Sequence, residues 1–234
     1  MTASEDDGKS WSRPVLATQP HKYTNGKVHV GHKLKDGRLA VGYSWDTTEG
    51  EMELRAGLML SSDGGRHWVA GGDISARPPK LTPHAVNGVD EPATVILEDG
   101  EVYALLRTGT DHLWESRSRN AGASWSAPVP SLLVGHNAPA ALWRLRGSGD
   151  VVVAWDQSPK DRWPLVAAIS QDGCRTWSQP KIIVDTGGPQ VSYPSVTQDR
   201  EGAIVVVWQQ DLPDRKGREI RMARFDRAWL LESS

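Results

Sequence analysis

Ser61-Ser-Asp63-Gly-Gly65-Arg-His-Trp68 is the stretch whose reading decides the fold. Its chemistry is that of a turn. An Asp side chain accepts hydrogen bonds from backbone N–H groups just downstream. Gly supplies the positive φ that closes a tight turn. Ser offers a second side-chain hydrogen bond across the hairpin, and Trp opens the outgoing strand with its ring beneath the turn. The same spelling, Ser-x-[Asp/Asn]-x-Gly-x-x-Trp, recurs at residues 4–11, 118–125 and 170–177. The Trp-to-Trp intervals are 57, 57 and 52 residues, the signature of a repeat architecture. Each box reads as a hairpin staple rather than a ligand site. The box at 170–177 carries Cys174 where the others have Gly, which predicts a looser turn there.

Outward from the boxes, short apolar runs flank tight turns. Residues 32–34 and 39–43 surround Asp36-Gly37, and 94–97 and 102–106 surround Asp99-Gly100. Residues 140–145 and 151–155 flank 147–150, and 195–197 and 203–208 flank Glu201-Gly202. Asp-Gly between alternating apolar runs is a strong hairpin signal. A third run (57–60, 113–116, 165–169) enters each of the last three boxes, and a fourth strand is expected to leave each Trp. No sustained helical period occurs. The unit is a four-stranded antiparallel meander of about 50 residues, and such meanders set around an axis form a β-propeller, an all-β fold.

Composition agrees. Among 234 residues there are 11 Trp but 1 Phe and 4 Tyr, an excess that the repeat accounts for. Lys+Arg (27) and Asp+Glu (29) nearly cancel, which argues against holding nucleic acid by bulk charge. No apolar run is long enough to span a membrane. The acidic, polar start is not a signal peptide. A single Cys and the spacing of the seven His predict neither an internal disulfide nor a metal site.

With its boxes placed between third and fourth blade strands, the chain resembles the sialidase (neuraminidase) superfamily, in particular bacterial exo-α-sialidases with Asp-box (BNR) repeats. Glu91-Pro-Ala-Thr-Val runs to Arg107 at a spacing of sixteen, and Arg162 precedes the next box by eight, as in those enzymes. Val191-Ser-Tyr193-Pro-Ser-Val resembles the stretch carrying the catalytic Tyr, and residues 220–230 resemble the closing strand. The resemblance implies Tyr193 as nucleophile, Glu91 as the base that activates it, and Arg107 and Arg162 as two members of an arginine triad gripping a carboxylate. Sialic acid carries that carboxylate on its anomeric carbon. A neutral Tyr avoids the repulsion a carboxylate nucleophile would meet, and a planar guanidinium pairs bidentately with the carboxylate. The implied substrate is a sialylated glycan or another acidic sugar, with retention of configuration and without a cofactor.

The chain departs from the family pattern upstream. The Arg-Ile-Pro stretch supplying the first triad Arg, and the loop Asp that serves as acid/base, have no counterpart. Residues 1–234 read as one propeller domain that lacks the first blade and a half of a six-bladed ring. The alternative is a closed four-bladed ring in which residues 12–17 pair with the last blade. Asp46, Glu49 and Asp90 are loop acids that could replace the missing Asp, and His136-Asn137 precedes a blade strand from which it could reach a ligand.

Overall fold

The computed structural model describes residues 1–18, 23–25, 31–46, 52–214 and 216–232. Four antiparallel sheets form a four-blade β-propeller. In the first blade, Tyr23–Asn25 (β1) and Gly31–Lys33 (β2) both pair with Leu39–Asp46 (β3), followed by Leu54–Ser61 (β4) and Val69–Ala70 (β5). The second blade is Asp90–Ile96 (β6), Val102–Arg107 (β7), His112–Ser118 (β8) and Val129–Val134 (β9). The third is Ala141–Arg144 (β10), Val151–Asp156 (β11), Leu165–Ser170 (β12) and Lys181–Val184 (β13). The fourth has three strands, Val191–Gln198 (β14), Ile204–Asp211 (β15) and Arg218–Phe225 (β16), and then a short helix, Arg227–Leu231 (α1).

The inner strands of the middle blades are rich in β-branched and other apolar residues because neighbouring blades cover both their faces. β11 shows this directly. Val151, Val153 and Trp155 pack toward the second blade against Leu105, Leu113 and Leu133. The alternate residues Val152 and Ala154 pack toward the fourth against Val196, Val206 and Trp208. Every residue of β11 is therefore buried, and the usual inside–outside alternation disappears.

All four boxes form. The amide four residues after the box Ser donates to its Oγ in each: Gly8 to Ser4 (2.7 Å), Gly65 to Ser61 (2.8 Å), Gly122 to Ser118 (2.8 Å) and Cys174 to Ser170 (2.9 Å). The looser turn expected at Cys174 is not found. Cys174 adopts φ 63° and keeps the bond, and its side chain is buried in the core between the second and third blades. Arg117 adds an outside clamp. It pairs with Glu101 (2.8 Å), donates to the Gly173 and Cys174 carbonyls (3.1 and 2.8 Å), and lies over the Tyr103 ring. Burial of the Cys174 side chain offsets part of the cost of a non-glycine residue at positive φ.

Two other expectations are corrected. Residues 12–17 form no strand and do not reach the last blade. Instead the Ser12 and Val15 amides donate to the Ala3 and Met1 carbonyls (2.8 Å each), so this segment folds back on the chain's own start. The expected fourth strand does leave Trp68, although it is only two residues long. The closing strand ends at Phe225 because Asp226 caps a helix, its Oδ1 accepting the Trp229 amide at 2.8 Å.

Candidate functional site

The site grows from a backbone irregularity that recurs at one end of the inner strands. In β6 the register steps from Asp90↔Arg107 to Ala93↔Leu105, so one extra residue bulges out. In β14 it steps from Ser192↔Gln209 to Ser195↔Val207, the same bulge two blades on. The residue thrown out is Glu91 in one case (φ 42°) and Tyr193 in the other (φ 55°). Between them, ahead of β10, Asn137 has φ 48°. Each is followed by Pro, directly in Glu91-Pro92 and Tyr193-Pro194 and one residue later in Asn137-Ala138-Pro139. Left-handed backbone at residues other than Gly costs about 1–3 kcal/mol and concentrates at functional sites.

The structure brings three of the four expected residues into one hydrogen-bonded cluster and sets the fourth against it. Glu91 is buried; its Oε2 accepts from Arg107 Nη1 (2.6 Å) and its Oε1 from Asn25 Nδ2 (2.9 Å). Arg107, at the end of β7, also donates from Nε and Nη2 to Asn137 Oδ1 (3.2 and 3.0 Å). Arg162 donates from Nη2 to the Asn137 carbonyl (2.6 Å), and its guanidinium lies 5.8 Å from the centre of the Tyr193 ring. The Arg162 carbonyl accepts the Val191 amide (2.8 Å), which ties this loop to the strand carrying Tyr193. A groove of about 510 Å3 opens beside the cluster, lined by His136, Asn137, Lys160, Arg162 and Gln190 among others.

The electrostatics follow from burial and proximity. Burial alone would lower the Arg107 pKa, but the Glu91 carboxylate outweighs it and the guanidinium is held more firmly protonated than usual. Burial raises the pKa of the Asp90 carboxyl, against the lowering effect of the Ser44 hydroxyl bond. The Tyr23 phenol is raised too, first by burial and then by Asp90 and Glu91, which places it within electrostatic reach of the same cluster.

The loop acids fare differently. Asp90 Oδ1 accepts from Ser44 Oγ and from the Glu91 amide (2.8 Å), so it braces the bulge. Asp46 is buried and accepts the Glu53 amide (3.2 Å). Glu49 lies outside the described residues. His136 is fixed by an Nδ1 bond to the Thr110 carbonyl (2.8 Å), whereas Asn137 does reach the cluster. Sequence reasoning missed Asn25, Tyr23 and Ser44, which carry no motif. Asn137 had a signal in the recurrence of Pro after Glu91, Asn137 and Tyr193. No helix among the described residues is long and apolar enough to cross a membrane.

Comparison with known proteins gives consistent matches. Residues 1–206 match the family described as BNR repeat-like domain. A sialidase of Bacteroides fragilis is 23% identical over 205 residues, covering 80% of this chain and 35% of that protein. The Hadza microbial sialidase superposes with a TM-score of 0.77 at 16% identity, covering 97% of this chain and 43% of its own. The intramolecular trans-sialidase of Ruminococcus gnavus gives 0.73 at 20% identity, covering 100% and 51%. A protein of unknown function from Dyadobacter fermentans gives 0.76 at 20% identity, covering 96% and 63%. The chain thus spans about a third of the length of the curated relative.

Proposed function

Because this chain belongs to the family of BNR repeat-like domains, we propose that its bulge-end cluster binds and processes a terminal α-linked sialic acid, as a sialidase-like glycoside hydrolase. The observation that carries the reading is the convergence of Arg107 and Arg162 on Asn137, beside the strained residues Glu91 and Tyr193. Two guanidinium groups close together suit a carboxylate ligand, which takes parallel N–H bonds from a planar fork.

In the proposed mechanism, Arg107 and Arg162 hold the substrate carboxylate and so fix the sugar ring over Tyr193. Tyr193 Oη attacks the anomeric carbon, its proton passes to Glu91, and the bond to the leaving glycan breaks. Water then displaces the tyrosyl oxygen, which takes back the proton held on Glu91, while the water's own proton passes to the group that protonated the leaving glycan, and the configuration is retained. Protonation of Glu91 weakens its pair with Arg107 and frees that guanidinium for the charge held at the substrate carboxylate. The leaving oxygen needs a proton donor outside these four residues.

An aryl α-sialoside assay tests this reading. Release of the aryl group with retention, lost in Tyr193→Phe, supports it. Binding of sialyllactose without turnover favours a second reading, a non-catalytic glycan-binding propeller. That reading draws on the commitment of Asp46 and Asp90 to nearby backbone and hydroxyl groups, which leaves no acid/base carboxyl among the described candidates. Turnover of another acidic glycoside in place of the sialoside would keep the site and change the substrate.

A further inference from the structure

We propose that Asn137 is a positioning residue that locks Arg107 and Arg162 into one two-guanidinium receptor, an inference that rests on the carboxylate reading above. Its side chain holds one arginine and its backbone holds the other. Oδ1 accepts from Nε and Nη2 of Arg107 (3.2 and 3.0 Å), and the main-chain carbonyl accepts from Nη2 of Arg162 (2.6 Å). The residue is itself pinned on both sides. Its amide donates to the carbonyl of Thr108, the neighbour of Arg107 (3.1 Å), and the Val86 amide donates to Oδ1 (3.2 Å).

Donor arithmetic shows what this arrangement leaves for a ligand. A guanidinium has five N–H donors. Asn137 takes the Nε–H and one on Nη2, and Glu91 takes one on Nη1. Among the described residues, one N–H on each terminal nitrogen of Arg107 then has no protein partner. Two donors on adjacent nitrogens of one plane are what a carboxylate needs for a two-pronged pair. Asn137 therefore spends the side edge of the fork and fixes the plane in which the remaining donors lie.

The neutral amide matters as well. An Asp here would make the same bonds but place a second anion on Arg107, which already faces Glu91, and would repel an incoming carboxylate. The backbone also selects the residue. Asn tolerates the left-handed region better than most residues, so this position holds a neutral acceptor at φ 48° with little strain.

The test is calorimetric titration of the whole chain with N-acetylneuraminate, in a double-mutant cycle of Asn137→Gly and Arg107→Lys. Gly accepts the backbone and keeps the carbonyl for Arg162, so only the side-chain acceptor is lost. Asn137→Gly alone should weaken binding about tenfold or more. In the Arg107→Lys background the same change should cost less than about threefold, because the fork it aligns is gone. Losses that multiply across the cycle would overturn the inference, since a merely structural role acts equally in both backgrounds. Should Asn137→Gly not fold, Asn137→Asp carries the cycle: it should weaken binding strongly with Arg107 present and much less without it. If the parent chain binds and the Asn137 variants bind equally well, this inference alone fails. If the parent chain does not bind N-acetylneuraminate, the carboxylate reading fails and takes the inference with it.

Discussion

The two ends of each blade follow opposite rules. At the box end the sequence repeats, and the same bonds recur: a Ser Oγ takes an amide four residues on in every copy. At the bulge end the backbone repeats but the side chain changes, from Glu91 to Asn137 to Tyr193. Repetition of residues marks a local device that closes a hairpin by itself. Repetition of backbone with different residues marks a scaffold that aims several chemistries at one point. Strain alone does not make this division: among the described residues, non-Gly positive φ occurs at Asp7, Ala121 and Cys174 in the boxes as well as at Glu91, Asn137 and Tyr193 at the bulge end.

The largest effect should come from the bulge end. Replacing Tyr193 by Phe should cut turnover of an aryl α-sialoside by more than about 10^3-fold, since it removes the attacking oxygen itself. Binding of N-acetylneuraminate should change little. A variant with normal turnover would dissolve the distinction between the two ends. Arg107→Lys comes next, with an expected rise in the Michaelis constant of about 10–100-fold and a smaller change in kcat, because a point charge replaces a planar fork. An unchanged Michaelis constant would remove Arg107 from ligand binding and leave it as a brace for Glu91.

These expectations differ in how far the sequence reveals them. The boxes and the Asp-Gly hairpins were legible because their physics is local: a few residues satisfy their own backbone. The spacing of Glu91, Arg107, Arg162 and Tyr193 was legible through resemblance, and the structure brings the four to one place. The bulges were not legible, because an extra residue shows only against its partner strand, and here that partner lies in another hairpin arm. The fate of Asp90 was hidden for the same reason. Its bonds go to Ser44 of the neighbouring blade. The Cys174 turn was misjudged because the local penalty for positive φ was visible, while the Arg117 clamp from the second blade was not.

The box end predicts stability effects and no catalytic ones. In Ser118→Ala, the buried Gly122 amide loses its acceptor, at an expected cost of about 1–3 kcal/mol in urea unfolding. Activity at a temperature where the variant is folded should be unchanged. A catalytic defect without a stability defect would mean that the boxes are more than staples.

The smallest effect isolates burial from bonding. The first box shares the Ser-to-amide bond of the third, with Ser4 Oγ accepting the Gly8 amide at 2.7 Å, but Trp11 is 63% exposed and water can replace any lost partner. Ser4→Ala should therefore cost no more than about 0.5 kcal/mol, well below Ser118→Ala. The same box predicts an acid response. Asp6 is held down at about 2, first by the Ser10 hydroxyl and amide and then by Ser4. A carboxyl whose pKa falls on folding stabilises the fold above its unfolded value, and that contribution fades as pH drops from about 4 toward 2. Asp6→Asn should flatten that part of the acid-unfolding curve only slightly, because the group is fully exposed. If Ser4→Ala proved as costly as Ser118→Ala, the Ser bond would be valuable in itself, and burial would not explain the difference between the two boxes.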